Sequence, residues 1–376
     1  MKILIVNWQD IKNPLGGGAE VHLHQIFSRI VKRGHSVTLY CSTFENAPRE
    51  EVIDGIRVIH EGGRYMFNYR VPFRYFTRFR KERFDIIVDD MNKIPFFTPL
   101  YVRKPLYFII HHLFGKSIFR EAPFPFAFYV YVMEKLGVAV CRWKKVPLMV
   151  VSPSTREEMI NHGFSDDSIV YAYNCVDHDV HRANLVPKSQ TPLIGYFGRL
   201  KKYKSVEHLL HAFTHVRSRI PDIKLVIVGE GDHRYTLQKI ADNLGISDSV
   251  QFTGYVSEKE KVEWLNRVWF MVNTSSKEGW GLTVIESNAC GTTVIGSDVP
   301  GLRDAIKDGE TGLLYRYGDV VDLSEKILLL INDREMRERL TKNAIEWAST
   351  FSWDAVAEKV ISYLRREIEK HQRGPV

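Results

Sequence analysis

Residues 278–286 read EGWGLTVIE, two carboxylates bracketing two glycines, a tryptophan and an apolar run. On one continuous helix Glu278 and Glu286 would stand about 80° apart in projection and two turns apart along the axis, poor geometry for a shared site. A loop leading into a helix resolves this. Val272–Ser276 reads as the end of a strand, Glu278 and the glycines as a turn, and Leu282 onward as a helix with apolar Leu282, Val284, Ile285 and Ala289. Glu278 then projects from the loop into a cleft, Glu286 lies about one turn inside the helix, and the N–H groups of the helix start lie between them. One acid could hold a sugar ring and the other a ribose diol, since a carboxylate accepts from two hydroxyls. Equally, Glu286 could be a helix charge well placed near an N-terminus.

Other strand ends carry candidates. Phe197-Gly198-Arg199-Leu200 is followed by Lys204. A guanidinium fork and a mobile ammonium together suit a diphosphate, although Lys201, Lys202 and Lys204 also fit a solvated basic turn. Gly16-Gly17-Gly18-Ala19-Glu20 opens a helix, where glycines allow close approach and free amides attract anions. It is not GxGxxG, and the second strand, SVTLYCS, has no acid for a ribose, which disfavours a nicotinamide site. Gly229-Glu230-Gly231-Asp232 and Gly254-Tyr255-Val256 are further turns. His111 and His112 end the strand LYFIIHH, where a histidine serves a sugar hydroxyl, a proton or only the structure. Asp89-Asp90 and Asp177-His178-Asp179 read as turns rather than metal ligands. The four cysteines (Cys41, Cys141, Cys175, Cys290) are far apart with no CxxC, as expected of isolated thiols in a reducing compartment.

These residues need a frame, and the pattern supplies one. Short β-branched runs alternate with helix-period stretches: KILIVN, SVTLYCS, FDIIVDD, LYFIIHH and PLMVVSP, then PLIGYFGR, IKLVIVGEG, SVQFTGYV, WFMVNTSS and TTVIGSDV. Near-continuous apolar strands between helices predict parallel sheets covered on both faces. The expectation is an α/β protein with two Rossmann-like doubly wound domains facing across a deep cleft. Their bounds are 1–183 and 193–350, with a linker at 184–192 and a closing helical segment at 351–376. In such sheets ligands bind beyond the carboxyl ends of the strands. At 376 residues, 44% hydrophobic and 26% charged, the chain has the composition of a soluble globular protein, and no apolar run reaches the length of a spanning helix. MKILIVNW reads as a first strand rather than a signal peptide.

In order, GGGAE, FGRL with Lys204, VGEGD, FTGYV, EGWGLTVIE and ACGTTVIGSDVPG resemble the retaining glycosyltransferases of family 4, which have the GT-B fold. The resemblance covers nearly the whole chain and is strongest over 194–315. It implies a hexose transferred from a nucleoside-diphosphate sugar, GDP- or UDP-linked, to a glycan or lipid-linked acceptor. It assigns Arg199 and Lys204 to the leaving diphosphate, and Glu286 to the ribose hydroxyls. Glu278 and the amides of Gly279, Gly281, Leu282 and Thr283 would orient the donor sugar and phosphate. Gly17 and Gly18 would approach the diphosphate or acceptor, His111 the transferred sugar, and Gly254 and Tyr255 the base. The final helix would cross back to the first domain. No metal or other cofactor is expected, because Arg and Lys supply the positive charge. Ser205 departs from the family's usual glycine after the lysine, Cys175 replaces the glycine of an N-G-V-D turn, and Arg303-Asp304 stand where proline and glutamate are usual.

The net charge of +7 suits an acidic partner. From Arg64 to Arg83 the chain reads RYMFNYRVPFRYFTRFRKER. If Pro72 opens a helix, Phe73 and Phe76 share one face, with Arg74, Arg78 and Lys81 on another. Such a segment suits an anionic membrane surface, with FPFAFYVYV and Arg142-Trp143-Lys144-Lys145 as a second candidate. The plain alternative is aromatics packed on the first sheet beneath solvated charges; nucleic acid is disfavoured. The expected location is the cytoplasm, with peripheral attachment to the inner face of the cell membrane as its membrane-bound form. Competing functions are a nucleotide-sugar epimerase of the same fold and a non-catalytic nucleotide-sugar or membrane-binding protein.

Overall fold

The protein is described by a computed structural model covering residues 1–63, 65–91, 94–120 and 122–373. It divides into two compact units, Met1–Asn174 with the segment from Trp353 onward, and Cys175–Ser352. This corrects the domain bounds expected from sequence. Residues 175–183 belong with the second unit, and 184–192 is stitched to it rather than free. Asn266 accepts from Leu185 N–H (3.2 Å) and donates to Arg182 O (3.0 Å), and Trp269 Nε1 donates to Ser189 O at 2.8 Å.

The first unit contains β1 (Lys2–Val6), α1 (Gly18–Lys32), β2 (Ser36–Cys41), β3 (Glu50–Ile53), β4 (Ile56–His60), α2 (Phe67–Arg74), β5 (Ile86–Met91), β6 (Leu106–Ile110), α3 (Phe124–Trp143), β7 (Leu148–Val150), α4 (Pro153–Asn161) and β8 (Ile169–Tyr171). Its sheet runs β3-β4-β2-β1-β5-β6-β7-β8, parallel except for the β3–β4 hairpin. Asp54-Gly55 turns that hairpin, both residues at positive φ, as a tight hairpin with matching twist requires. The second unit contains β9 (Leu193–Phe197), α5 (Val206–Arg217), β10 (Lys224–Val228), α6 (Arg234–Asn243), β11 (Val250–Gly254), α7 (Glu258–Arg267), β12 (Phe270–Asn273), α8 (Leu282–Ala289), β13 (Thr293–Ser297), α9 (Leu302–Ala305), β14 (Gly312–Tyr315), α10 (Val320–Asn332) and α11 (Arg334–Ser349). Its all-parallel order β11-β10-β9-β12-β13-β14 reverses between β9 and β12, the position where doubly wound sheets bind ligands. The last helix, α12 (Trp353–Gln372), returns to the first unit and packs on α1, where Asp354 accepts from Arg29 and Arg33 at 3.2 and 2.8 Å.

Two local expectations are corrected. Pro72 lies inside α2 instead of opening a helix, and a π-helical turn, Tyr75–Phe79, continues the chain. The chain does hold an apolar helix long enough to cross a bilayer, α3, with 28% of its apolar window buried. One face of α3 is committed to the first unit. Glu134 accepts the Phe114 and Gly115 amides at 2.7 Å, and a Cβ on Gly137 would meet Pro95 at 2.5 Å.

Candidate functional site

At the switch point of the second sheet, the loops after β9 and β12 are laced together. Thr274 Oγ1 donates to Lys204 O at 2.8 Å, and the Ser276 amide and hydroxyl both donate to Tyr203 O, at 2.8 and 2.9 Å. The lacing brings Lys204 Nζ onto Glu278 Oε1, where Ser275 Oγ also stands at 2.8 Å. Burial by itself would lower the Lys204 pKa, but the Glu278 charge outweighs it and holds the ammonium above its ordinary value. Lys204 is therefore a fixed cation, and not part of a solvated basic turn. Glu278 is correspondingly not a bare acid projecting from its loop. Arg199, one residue past Gly198, is exposed at the same strand end.

Glycines build this corner by close approach more than by offering amides. A Cβ on Gly229 would fall 2.0 Å from Gly198 O, and one on Gly231 2.1 Å from Leu200 O, so both turns support the Arg199 segment. Gly301, at φ +84°, presses against Glu278 O, which an added Cβ would meet at 2.3 Å. Ser205 takes the left-handed conformation (φ 48°) that glycine adopts without strain, so the departure at this position leaves the turn intact. Its hydroxyl lies 2.9 Å from that of Tyr317.

Glu286, buried on α8, has a separate set of partners. Lys261 Nζ lies 3.0 Å from its Oε2 and 2.9 Å from Glu258 Oε1, while His181 Nε2 lies 3.0 Å from Glu258 Oε1 and 3.8 Å from Glu286 Oε1. Burial opposes the Glu258 charge, but His181 and Lys261 outweigh it and hold its pKa down at about 2. Gly281, at φ 92°, starts α8, and Leu282 and Thr283 form its first turn; Gly279 lies in the preceding loop. Gly254 (φ +75°) ends β11, and Tyr255 beyond it is 86% exposed.

In the first unit, Gly17 precedes α1 and its N–H is taken by Glu20 Oε2 at 2.6 Å, whereas Gly18 has open space where a side chain would be. His111, just past β6, lies 3.2 Å from Asp90 Oδ1, and its ring meets that of His22 edge-on at 5.0 Å. Burial opposes the His111 charge, yet Asp90 raises its pKa overall. Asp89 and Asp90 are thus not a turn but the buried end of β5, and burial pushes the Asp89 carboxyl up to about 8. Asp177-His178-Asp179 does fall at a turn.

Two family descriptions match the chain, Glycosyltransferase Family 4 over residues 16–180 and Glycosyl transferases group 1 over 177–347. The chain belongs to the group 1, family 4 type of GT-B glycosyltransferases. A D-inositol 3-phosphate glycosyltransferase of Streptomyces bingchenggensis is 32% identical over 185 residues, which cover 47% of this chain and 40% of the relative. N-acetyl-alpha-D-glucosaminyl L-malate synthase of Bacillus anthracis is 31% identical over 161 residues, 43% of this chain and 41% of the relative. The matches thus span about two fifths of each relative's length. Among solved structures, sucrose-phosphate synthase from Thermosynechococcus elongatus superposes with TM-score 0.81 at 20% identity, covering 97% of this chain and 98% of the other. Anabaena HepE in complex with UDP and glucose gives 0.77 at 17%, covering 97% and 100%. At these identities the likeness establishes the GT-B fold.

Within that family frame, the sequence does not single out the side chains around Glu286 or His22 beside His111, and it presents Asp90 as a turn residue instead of a partner of His111. Lys261, Glu258 and His181 surround Glu286, and Asp90 and His22 surround His111. Only the i, i+3 spacing of Glu258 and Lys261 is a local signal; His181 comes from a turn, His22 from α1 and Asp90 from β5, all distant in sequence from the residues they surround.

Proposed function

We propose that this protein is a retaining glycosyltransferase that moves a hexose from a nucleoside-diphosphate sugar to a glycan or lipid-linked acceptor. The observation that carries the reading is Lys204, a partly buried ammonium fixed on Glu278 at the switch point of the second sheet. As the anomeric C–O bond breaks, negative charge grows on the departing diphosphate. Positive charge already in place stabilises that state without reorganisation. Arg199 and Lys204 supply it, Glu278 and the first amides of α8 orient the sugar and phosphate, and Glu286 receives the ribose hydroxyls. Tyr255 borders the base. Gly17, Gly18 and His111 serve the diphosphate, the acceptor or the transferred sugar. No side chain needs to act as a covalent nucleophile.

Transfer needs no metal ion in this reading. His181, Glu258 and Glu286 bring ligand-type atoms together, but the Lys261 ammonium lies against both carboxylates and supplies the positive charge there. The test is a thermal-shift panel of UDP, GDP, ADP and dTDP with and without EDTA, followed by the matching sugar donors. UDP comes first because HepE, of the same fold, has been solved with it. One nucleotide should raise the melting temperature by several degrees at about 100 times its Kd, equally with EDTA. A panel with no shift overturns the donor-site assignment. Conversion of the nucleotide sugar without any acceptor would favour the epimerase instead.

A membrane-borne acceptor is favoured by the outer surface of the first unit. Tyr65, Met66, Tyr69, Phe73 and Phe76 are exposed on and around α2, and Phe124, Phe126, Phe128 and Trp143 on α3. The hydrogen bond between Tyr69 and Tyr129 joins the two patches. Contiguous exposed apolar surface marks an interaction site, and Arg70, Arg80, Lys81, Lys144 and Lys145 are exposed on the same segments. Arg74 and Arg78 contribute less than the sequence suggests, being paired with Glu61 and Glu82. Arg64 lies outside the described residues. This surface would lie on the anionic cytoplasmic face of a bilayer; failure to float with anionic liposomes at low salt would remove the membrane from the reading.

A further inference from the structure

Asp10, Cys41 and His60 come from three places in the sequence, the β1–α1 loop and the carboxyl ends of β2 and β4. In the first unit they converge, all three buried, with one ligand-type atom from each within 4.8 Å of the others. The chemistry of the set is specific. His60 Nδ1 donates to Pro48 O at 2.6 Å, which fixes the ring and turns Nε2 toward Asp10 Oδ2 at 3.0 Å. A backbone carbonyl on the far nitrogen is the arrangement that orients metal-binding histidines. Asp10 Oδ1 is buried with no hydrogen-bond partner, although Asp10 is only 2% exposed. A carboxylate oxygen in that position costs free energy unless something completes its coordination. The Cys41 thiol has one weak contact, Ile59 O at 3.9 Å.

We propose that Asp10, Cys41 and His60 form a zinc site that pins the β1–α1 loop to the ends of β2 and β4. Thiolate, imidazole and carboxylate are all ordinary zinc ligands, and three of them leave a fourth position for water. The charges close. Zinc binding releases the Cys41 thiol proton and the one proton held between His60 Nε2 and Asp10 Oδ2. The product, a dication with one thiolate, one carboxylate and one neutral imidazole, has no net charge. Competition from the His181–Glu258–Glu286 cluster is weak because the Lys261 ammonium already lies against both carboxylates, and no thiol belongs to it. The pinned loop leads to the glycine turn. Asn13 N–H donates to Asp10 O at 3.2 Å and Gly16 N–H to Asn13 O at 2.8 Å. The site thus anchors the start of the loop that ends in the glycine turn.

The test uses the full chain, stripped with chelator and titrated with Zn2+ or Co2+. The expected results are one equivalent of bound zinc and, with cobalt, a thiolate-to-metal charge-transfer band in the near ultraviolet. Cys41→Ser should abolish the band, and Asp10→Asn should weaken zinc binding by about 10- to 100-fold or more. His181→Gln should leave both the stoichiometry and the band unchanged. If the stripped protein takes up no stoichiometric zinc, or if the cobalt band survives Cys41→Ser, the proposal is overturned. If Cys41→Ser fails to fold, Asp10→Asn decides: unchanged zinc affinity in that variant is equally fatal. None of these readouts depends on a sugar donor. A failed nucleotide panel and a failed zinc titration therefore remain separate results.

Discussion

Lys261 Nζ lies 3.0 Å from Glu286 Oε2, so a lysine of α7 holds the carboxylate of α8 assigned to the ribose. Removing the lysine leaves a largely buried carboxylate without its main counter-charge. Losing one partner of a fully buried pair costs about 3–5 kcal/mol. The Lys261 side chain is 21% exposed, so solvent screening reduces this to about 2 kcal/mol. Lys261→Met should lower the melting temperature by several degrees and weaken nucleoside-diphosphate binding about tenfold, as read by thermal shift and calorimetry. Unchanged nucleotide affinity would separate Glu286 from the donor.

Arg199→Ala should reduce transfer by about 100- to 1000-fold in kcat, the usual cost of removing one group aimed at developing charge. Lys201→Ala is the matched control. Its ammonium sits on Asp232 at 2.7 Å in an exposed pair, which contributes little. Steady-state kinetics of the two variants side by side distinguish a placed cation from a generally basic turn.

Gly301→Ala should destabilise the second unit by about 2–4 kcal/mol, the sum of a left-handed non-glycine residue and an overlap in packed structure. The overlap is with Glu278 O, so the turn that carries Glu278 must shift. Chemical denaturation gives the first quantity. A variant as stable as the parent would mean that the close approach of these two loops is not enforced.

His22 is fully buried, its Nε2 donating to Ala172 O at 2.7 Å, and burial lowers its pKa to about 3, with the neighbouring His111 adding to the effect. Folded, it stays neutral; unfolded, it takes up a proton near pH 6.5. The unfolded state therefore binds more protons throughout this window. His22 costs stability as pH falls from about 6.5 to about 3, by roughly 1.4 kcal/mol per pH unit. His22→Gln should flatten that part of the stability–pH curve, measured by denaturant melts at pH 7, 6 and 5. A slope unchanged by the substitution would assign the acid sensitivity elsewhere.

The apolar strands were legible because both faces of a parallel sheet are covered, and β-branched runs such as IKLVIVGEG have no other good place to go. β3 and β4 were overlooked despite Asp54-Gly55, a strong local hairpin signal, because EEVI is short and partly charged, as befits an edge strand. The carboxylates Glu278 and Glu286 were visible as types at a spacing, but their partners were not. Lys204 pairs across 74 positions with Glu278, and His60 across 50 with Asp10. Such pairs depend on sheet order, and no local periodicity encodes them. Asp89 and Asp90 show the reverse error. Two adjacent acids look like a solvated turn, yet they end a buried strand because Thr98 and His111 receive them.

The return of α12 to the first unit has a consequence for the order of events during synthesis. The second unit is one unbroken stretch of chain, so all its strands and helices are available once Ser352 has left the ribosome. The first unit is made mostly earlier, but the helix that covers α1 is translated only after the whole of the second unit. For the whole intervening period the face of α1 that packs on α12 has no helix over it. The nascent first unit is then the vulnerable one, open to chaperones and proteases until α12 arrives.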